Sequence, residues 1–348
     1  MEMNKKEQYN KDFFEIFNNA KNIVITSHIG PDDDSIASVL SMYEILSQKN
    51  TDKNIKIFYT GPKIERYNIF RNFEKINFVN DMSENLTDVD LLIVLDGSQY
   101  ARFSKFPELL KNVPKTITLD HHAGTPDEFS FSIIDSTMTS TAQLIYTIFE
   151  NDFNLTKELA EIFLLGILAD TGNFNYIKPH QSEIFIIVKR LVEVGEIYID
   201  SFKSKYNSIS ANTFEIIKEF IKNTNYKTIP GWPPFQYSFV NEKFLTENKF
   251  NDEERTAGSH IYMGQYLRNI SGYGWGFVVS IRENGSIRLS ARSLPGVTNV
   301  RLLFERTNLG SGHDLASGGI MKAEDFQDVK KAIDWLLDWM SKNPPLLN

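Results

Sequence analysis

The first 200 residues alternate short runs rich in Ile, Val and Leu with longer segments of helical periodicity, and that alternation constrains the fold more than any other feature. The runs "NIVIT" (22–26), "IKIFYT" (55–60), "DLLIVLD" (90–96) and "KTITLD" (115–120) read as buried strands. Residues 36–48, 64–73, 139–150, 157–168 and 182–194 read as helices. The pattern predicts an α/β domain with a mostly parallel sheet flanked by helices. A helix-rich connection follows over 199–223, and then the texture changes. "PGWPPF" (230–235) marks a loop, and "WGFVVSIRENGSIRLSARS" (275–293) reads as two strands turning at Asn284-Gly285. A helix is expected over 323–340. At 348 residues the chain is long enough for two domains. We expect an α/β domain over 1–200, a helical linker over 201–214 and a smaller α+β domain over 215–348.

The acids and histidines fall where such a sheet binds ligands, at the carboxyl ends of its strands. His28 follows the first strand, Asp96 closes the third, and Asp120, His121 and His122 close the fourth. Asp170, in "GILADTGNF", follows a helical pattern. The run Asp32-Asp33-Asp34 precedes another helix. Singly, each has an ordinary explanation: an aspartate after a strand caps a helix or shapes a turn, and carboxylates suit a helix N-terminus. Together, His28, Asp32, Asp34, Asp96, His121 and Asp170 would crowd four carboxylates and two imidazoles onto one edge. Without a cation, repulsion and desolvation would force some of those acids to stay protonated. Oxygen-rich ligation with a few imidazoles suits two divalent ions, manganese first, with magnesium, cobalt or iron as alternatives. A two-metal site of this kind suits displacement at phosphorus.

Composition narrows the partners. The formal net charge of −8 argues against a long nucleic-acid track but allows a short nucleotide held through metal ions. No cysteine is present, so disulfides and thiolate-bound zinc are excluded, which fits a cytoplasmic protein. We read no signal peptide at the N-terminus and no apolar run long enough to span a membrane.

"SHIGPDDD", "VLDGSQYARF", "LDHHAGTPDEF" and "ILADTGNF" resemble, in order, the four motifs of the DHH phosphoesterase superfamily. "LSARS" (289–293) and "GSGHDLASGG" (310–319) resemble the Ser-x-Arg-Ser and Gly-Gly-Gly-His elements of its DHHA1 C-terminal domain. The resemblance covers nearly the whole chain and implies an active site in the cleft between two domains. It implies one metal held by His28, Asp32 and Asp96, and another held by Asp34, His121 and Asp170, with Asp96 bridging. His122 would then meet the scissile phosphate or the attacking water, with Asp120 orienting its histidine neighbours. Arg292 and His313 would grip the far end of the substrate, and Gly310, Ser311 and Gly312 would bring backbone N–H groups to an anion as a nest. Arg102 would either support Asp96 through an ion pair or contact substrate.

Two positions depart from the family pattern. Asp33 and Ser311 stand where glycine is common. We expect Asp33 to face solvent, and Ser311 to cost strain if its φ is positive. Tyr273 and Trp275 could stack a base, although packing at a strand start is the simpler expectation, and His180 and His260 read as surface residues. The branch most resembled is that of nanoRNases (oligoribonucleases) and pAp phosphatases, which act on very short RNA and on the 3′-phosphate of adenosine 3′,5′-bisphosphate. The alternatives are a cyclic-di-AMP or linear dinucleotide phosphodiesterase, a RecJ-like single-strand exonuclease, and an inactive nucleotide-sensing relative. Neither a membrane nor a long duplex is an expected partner, and the oligomeric state stays open, a homodimer included.

Overall fold

The computed structural model describes residues 3–49, 52–206, 208–282, 284–322, 324, 326 and 328–345. The chain forms two compact units, 1–208 and 209–348.

The first unit is built on six parallel strands: β1 (Asn22–Ser27), β2 (Asn54–Thr60), β3 (Ile76–Val79), β4 (Leu91–Leu95), β5 (Lys115–Asp120) and β6 (Phe131–Ile134). Their spatial order is β3-β2-β1-β4-β5-β6. Successive strands therefore run outward from the centre in both directions, and the order reverses between β1 and β4, where open sheets form a crevice. All five residues of β4 are buried, as a strand covered on both faces requires. Leu91, Ile93 and Leu95 face one apolar core, while Leu92 and Val94 face another with Tyr100, Phe103 and Leu110. Helices α1 (Met3–Asn19), α2 (Asp33–Lys49), α4 (Thr141–Phe149), α5 (Lys157–Asp170) and α6 (Ile184–Gly195) feed the first core, as does α7 (Ile199–Tyr206) through Phe202 and Tyr206. The short α3 (Pro107–Leu110) belongs to the second core.

Two edge strands, β3 and β6, are absent from the sequence reading. Each has only four residues, too few for a periodic signal to emerge. The helix expected over 64–73 is instead two 3₁₀ turns, Glu65–Ile69 and Phe73–Lys75. Phe70 is extended and Asn72 adopts φ 66°, so a continuous α-helical ladder cannot form there.

The second unit carries a mixed six-stranded sheet of β7 (Asn225–Lys227), β8 (Phe235–Phe239), β9 (Trp275–Ile281), β10 (Ile287–Ser293), β11 (Gly310–His313) and β12 (Ala316–Met321), in the order β11-β12-β10-β9-β8-β7. Its helices are α8 (Ala211–Lys222), α9 (Glu242–Glu247), α10 (Asp252–Gln265), α11 (Val300–Arg306) and α12 (Val329–Lys342). The antiparallel hairpin β9–β10 turns through Gly285, at φ 80°, as the Asn-Gly pair predicts. The C-terminal helix begins at Val329, and Ala323, where it was expected to start, lies outside the described residues. No helix among the described residues is long and apolar enough to cross a membrane.

Candidate metal centre

The loop leaving β1 is pinned on both sides of the switch point. Ile29 N–H donates to the Arg102 carbonyl (2.7 Å) and Gly30 N–H to the Thr60 carbonyl (3.2 Å). Gly30 sits at φ 85°, so the chain turns sharply from strand into α2. Asp32 closes that turn: its Oδ1 accepts from Ser35 N–H (2.9 Å) while its own N–H donates to Ser35 Oγ (2.9 Å). This reciprocal pair satisfies two backbone donors at the start of the helix. It also leaves Asp32 Oδ2 free to stand 3.2 Å from His28 Nε2.

Asp96 lies immediately beyond β4 with φ 59°, a left-handed conformation that aspartate tolerates better than most residues. Its carboxylate is buried and divided between two groups of neighbours. Oδ2 lies 3.3 Å from His28 Nε2, whereas Oδ1 lies 3.7 Å from His121 Nε2 and 3.6 Å from His122 Nδ1. Thr141 Oγ1 donates to Oδ1 at 3.0 Å and fixes its direction.

Asp34 is buried beneath the start of α4, where its two oxygens accept from Thr141 N–H (2.7 Å) and Ala142 N–H (3.0 Å). Room for it comes from Gly166 on α5: a Cβ there would lie 2.6 Å from Asp34 Oδ1 and 2.6 Å from Ala142 Cβ. Asp170 ends α5, and its Oδ2 lies 2.9 Å from His121 Nε2. His122 N–H and Nδ1 both contact Asp120 Oδ1, at 3.0 and 2.7 Å, so the buried Asp120 orients the ring.

Three trios result, each with ligand atoms within 4.8 Å of one another: His28, Asp32 and Asp96; Asp34, His121 and Asp170; and Asp96, His121 and His122. Electrostatics show the strain of this crowding. Burial would lower the His28 imidazole, but hydrogen bonding and charge from Asp32 and Asp96 outweigh it and raise the group to about 10. Burial pushes the Asp32 carboxyl up, yet His28 and Ser35 bring it down to about 2. Burial, reinforced by the Asp96 and Asp170 charges, holds the Asp34 carboxyl well above the usual range. Burial raises Asp170 as well, and His121 is raised because Asp170 outweighs desolvation. The cluster thus gathers protons to offset its own negative charge.

Divalent cations fit this donor set. His121 Nε2 is buried and makes no directional hydrogen bond although Asp170 Oδ2 is 2.9 Å away. Two donor atoms that close, with no proton aligned between them, are disposed as joint ligands of a cation. Carboxylate oxygens with a few imidazoles are a donor chemistry suited to manganese or a similar ion.

Some expectations need correction. Asp33 does not face solvent: its Oδ1 accepts from Arg66 Nη2 (2.5 Å) and from the hydroxyl of the buried Tyr67 (2.6 Å). The side chain leaves the helix start toward the 3₁₀ turn that carries both partners. Arg102 forms no ion pair with Asp96 among the described residues, and its carbonyl instead anchors the His28 loop. Gly310, Ser311 and Gly312 do not form a nest. They are extended in β11, paired antiparallel with Gly319, Gly318 and Ser317. A strand conformation also removes the strain considered for Ser311. Gly310 is needed for close pairing, since a Cβ would lie 2.3 Å from the Gly318 carbonyl oxygen. The side chains of Ser311 and His313 lie outside the described residues. Arg292 is half-buried on β10 and donates to the Ala291 carbonyl (2.8 Å). Trp275 is fully buried and stacks on Trp232, so it is core, whereas Tyr273 packs against the exposed Tyr226. His180 and His260 are exposed.

The sequence reading missed Thr141, Gly166 and the Arg66–Tyr67 pair. Gly166 had a signal, an isolated glycine within the helical run "FLLGILAD". The others become visible only once α4 and the 3₁₀ turn are placed.

The chain is similar to known proteins in both sequence and fold. Residues 22–167 match the DHH family, N-terminal domain. The bifunctional oligoribonuclease and PAP phosphatase NrnA of Bacillus subtilis is 25% identical over 318 residues, covering 88% of this chain and 91% of that protein. A probable NrnA of Streptococcus mutans is 25% identical over 324 residues, covering 89% and 94%. A crystal structure of an exopolyphosphatase-related protein from Bacteroides fragilis superposes with a TM-score of 0.80 at 21% identity, covering 96% of this chain and 97% of that one. The matched stretch runs from β1 into α5 and gathers most of these acids and histidines at the switch point, so residues 22–167 resemble the N-terminal domain of the DHH family.

Proposed function

We propose that this protein is a metal-dependent phosphoesterase that hydrolyses very short oligonucleotides and the 3′-phosphate of adenosine 3′,5′-bisphosphate. One observation carries the reading: the two oxygens of Asp96 face different groups, Oδ2 toward His28 and Oδ1 toward His121. A carboxylate so placed suits two cations, one held by His28, Asp32 and Asp96, the other by Asp34, His121, Asp170 and Asp96. Such cations supply Lewis acidity toward a phosphate and make water a competent nucleophile near neutral pH.

The protein's own groups fix the remaining geometry. Thr141 Oγ1 holds Asp96 Oδ1, and the amides that open α4 hold Asp34. Asp120 accepts the Nδ1 proton of His122, which leaves Nε2 to meet the scissile phosphate or the attacking water. Arg292, and His313 with it, would bind the far end of the substrate. The similarity to the two NrnA proteins supports the choice of substrate class, and the net charge of −8 favours a substrate of few nucleotides.

The test offers Mn²⁺-loaded protein pAp, RNA and DNA of two to five nucleotides, cyclic and linear di-AMP, and pyrophosphate. Turnover should be fastest on pAp or on two- to five-nucleotide RNA. Turnover of pyrophosphate alone would refute the reading, and preference for cyclic di-AMP would move it to the phosphodiesterase alternative.

A further inference from the structure

Successive side chains of β10 point to opposite faces of the sheet. Ile287, Leu289, Ala291 and Ser293 are buried on one face, while Arg288 and Arg292 are half-buried on the other with the buried Ser290 between them. Register extends that face across the neighbouring strand: Arg292 lies opposite Ala316, Ser290 opposite Gly318 and Arg288 opposite Ile320. Ala316 and Gly318 are partly exposed and Ile320, opposite Arg288, is exposed, so the face is accessible on the β12 side of the two arginines. Arg288 is the anomaly. Among the described residues its guanidinium has no hydrogen bond and no carboxylate partner. Burial and the nearby Arg282 charge both disfavour its cation. A half-buried guanidinium with its donors unmatched is costly unless an anion completes it.

We propose that Arg288, with Arg282 beside it, binds a second phosphate of an oligonucleotide whose first phosphate is taken by Arg292. The inference rests on the function proposed above and deepens it to substrate length. Arg288 and Arg292 are four residues apart on one strand, about 13 Å at a rise of about 3.3 Å per residue. Side chains that leave one face at that spacing suit two successive phosphates of a nucleotide chain, one to each guanidinium. Planar guanidinium groups suit this task because each can grip phosphate oxygens in pairs.

The test measures affinity for a fluorescent tetra-adenylate and a di-adenylate across a salt series, with Ca²⁺ in place of Mn²⁺. Arg288→Gln should weaken the tetramer about tenfold, shift the dimer less than about twofold, and reduce the salt slope for the tetramer by about 0.7. Arg288→Lys should keep the slope, and both variants should keep the wild-type melting temperature. Equal weakening of dimer and tetramer, or an unchanged slope, would overturn the inference while leaving the proposed function standing. If the wild-type protein bound neither probe, the proposed function itself would fall, and this inference with it.

Discussion

Asp33 is an acid between two candidate metal ligands, and replacing it by alanine tests whether it is structural. Asp33→Ala removes the acceptor shared by Arg66 Nη2 and the Tyr67 hydroxyl. Tyr67 is fully buried, so loss of its acceptor should cost about 1–2 kcal/mol. The Arg66 side chain is 38% exposed, and that ion pair adds less than about 1 kcal/mol after screening. Burial raises the Asp33 carboxyl even with the guanidinium beside it, so desolvation offsets much of the Coulomb attraction. Loss of a carboxylate from the first turn of α2 costs about 0.3–1 kcal/mol, roughly cancelled by the better helix propensity of alanine. The sum is about 2 kcal/mol. Urea unfolding of the full chain should show it as a lower midpoint with unchanged slope. Asp33→Asn, which keeps an acceptor, should lose less than about 1 kcal/mol. A double-mutant cycle with Arg66→Met should show coupling, because the residues are in contact. An Asp33→Ala protein within about 0.5 kcal/mol of wild type would mean that Asp33 is a solvated acid after all.

Other predictions concern the cluster itself. With His28 raised from 6.5 to about 10, its contribution to the stability of chelator-treated protein is full below pH 6.5 and fades as pH rises toward 10. Cation affinity should move the opposite way, strengthening with pH as the His28 proton becomes easier to displace. Melting temperatures in EDTA and in Mn²⁺ should therefore diverge between pH 6.5 and 10, and parallel curves would contradict the proton assignment. Gly166→Ala drives a methyl group into Asp34 and Ala142, and should cost about 1–3 kcal/mol and weaken Mn²⁺ binding in calorimetry. Thr141→Val, which removes the hydroxyl holding Asp96, should lower kcat more than it raises KM while leaving the melting temperature within a few degrees.

The legible parts of this protein are those with strong periodic signals. Strand β4 is a continuous apolar run because both faces of the sheet are covered there, β1, β2 and β5 are rich in β-branched and aromatic residues, and each central run announces the residue that follows it. His28, Asp96 and His121 could therefore be placed on one edge from the sequence alone. Edge strands β3 and β6 are too short to register, and the turn at Asn72 hid the break in the segment read as a helix. What surrounds the cluster was harder to see. The partners of Asp33 lie more than thirty residues away in a segment misread as α-helix, and those of Asp34 more than a hundred away at the start of α4. Gly310 and Gly312 misled because glycine permits both a nest and close strand pairing, and only the pairing with β12 distinguishes them.

The central claim is that Asp96 serves two cations at once. Equilibrium dialysis of wild type and Asp96→Ala against Mn²⁺, read beside hydrolysis of pAp and dinucleotides, tests it most directly. The account predicts two ions bound per wild-type chain, with most binding and all turnover lost in the variant. An Asp96→Ala protein that still bound two ions, or turned over at near wild-type rates, would contradict it.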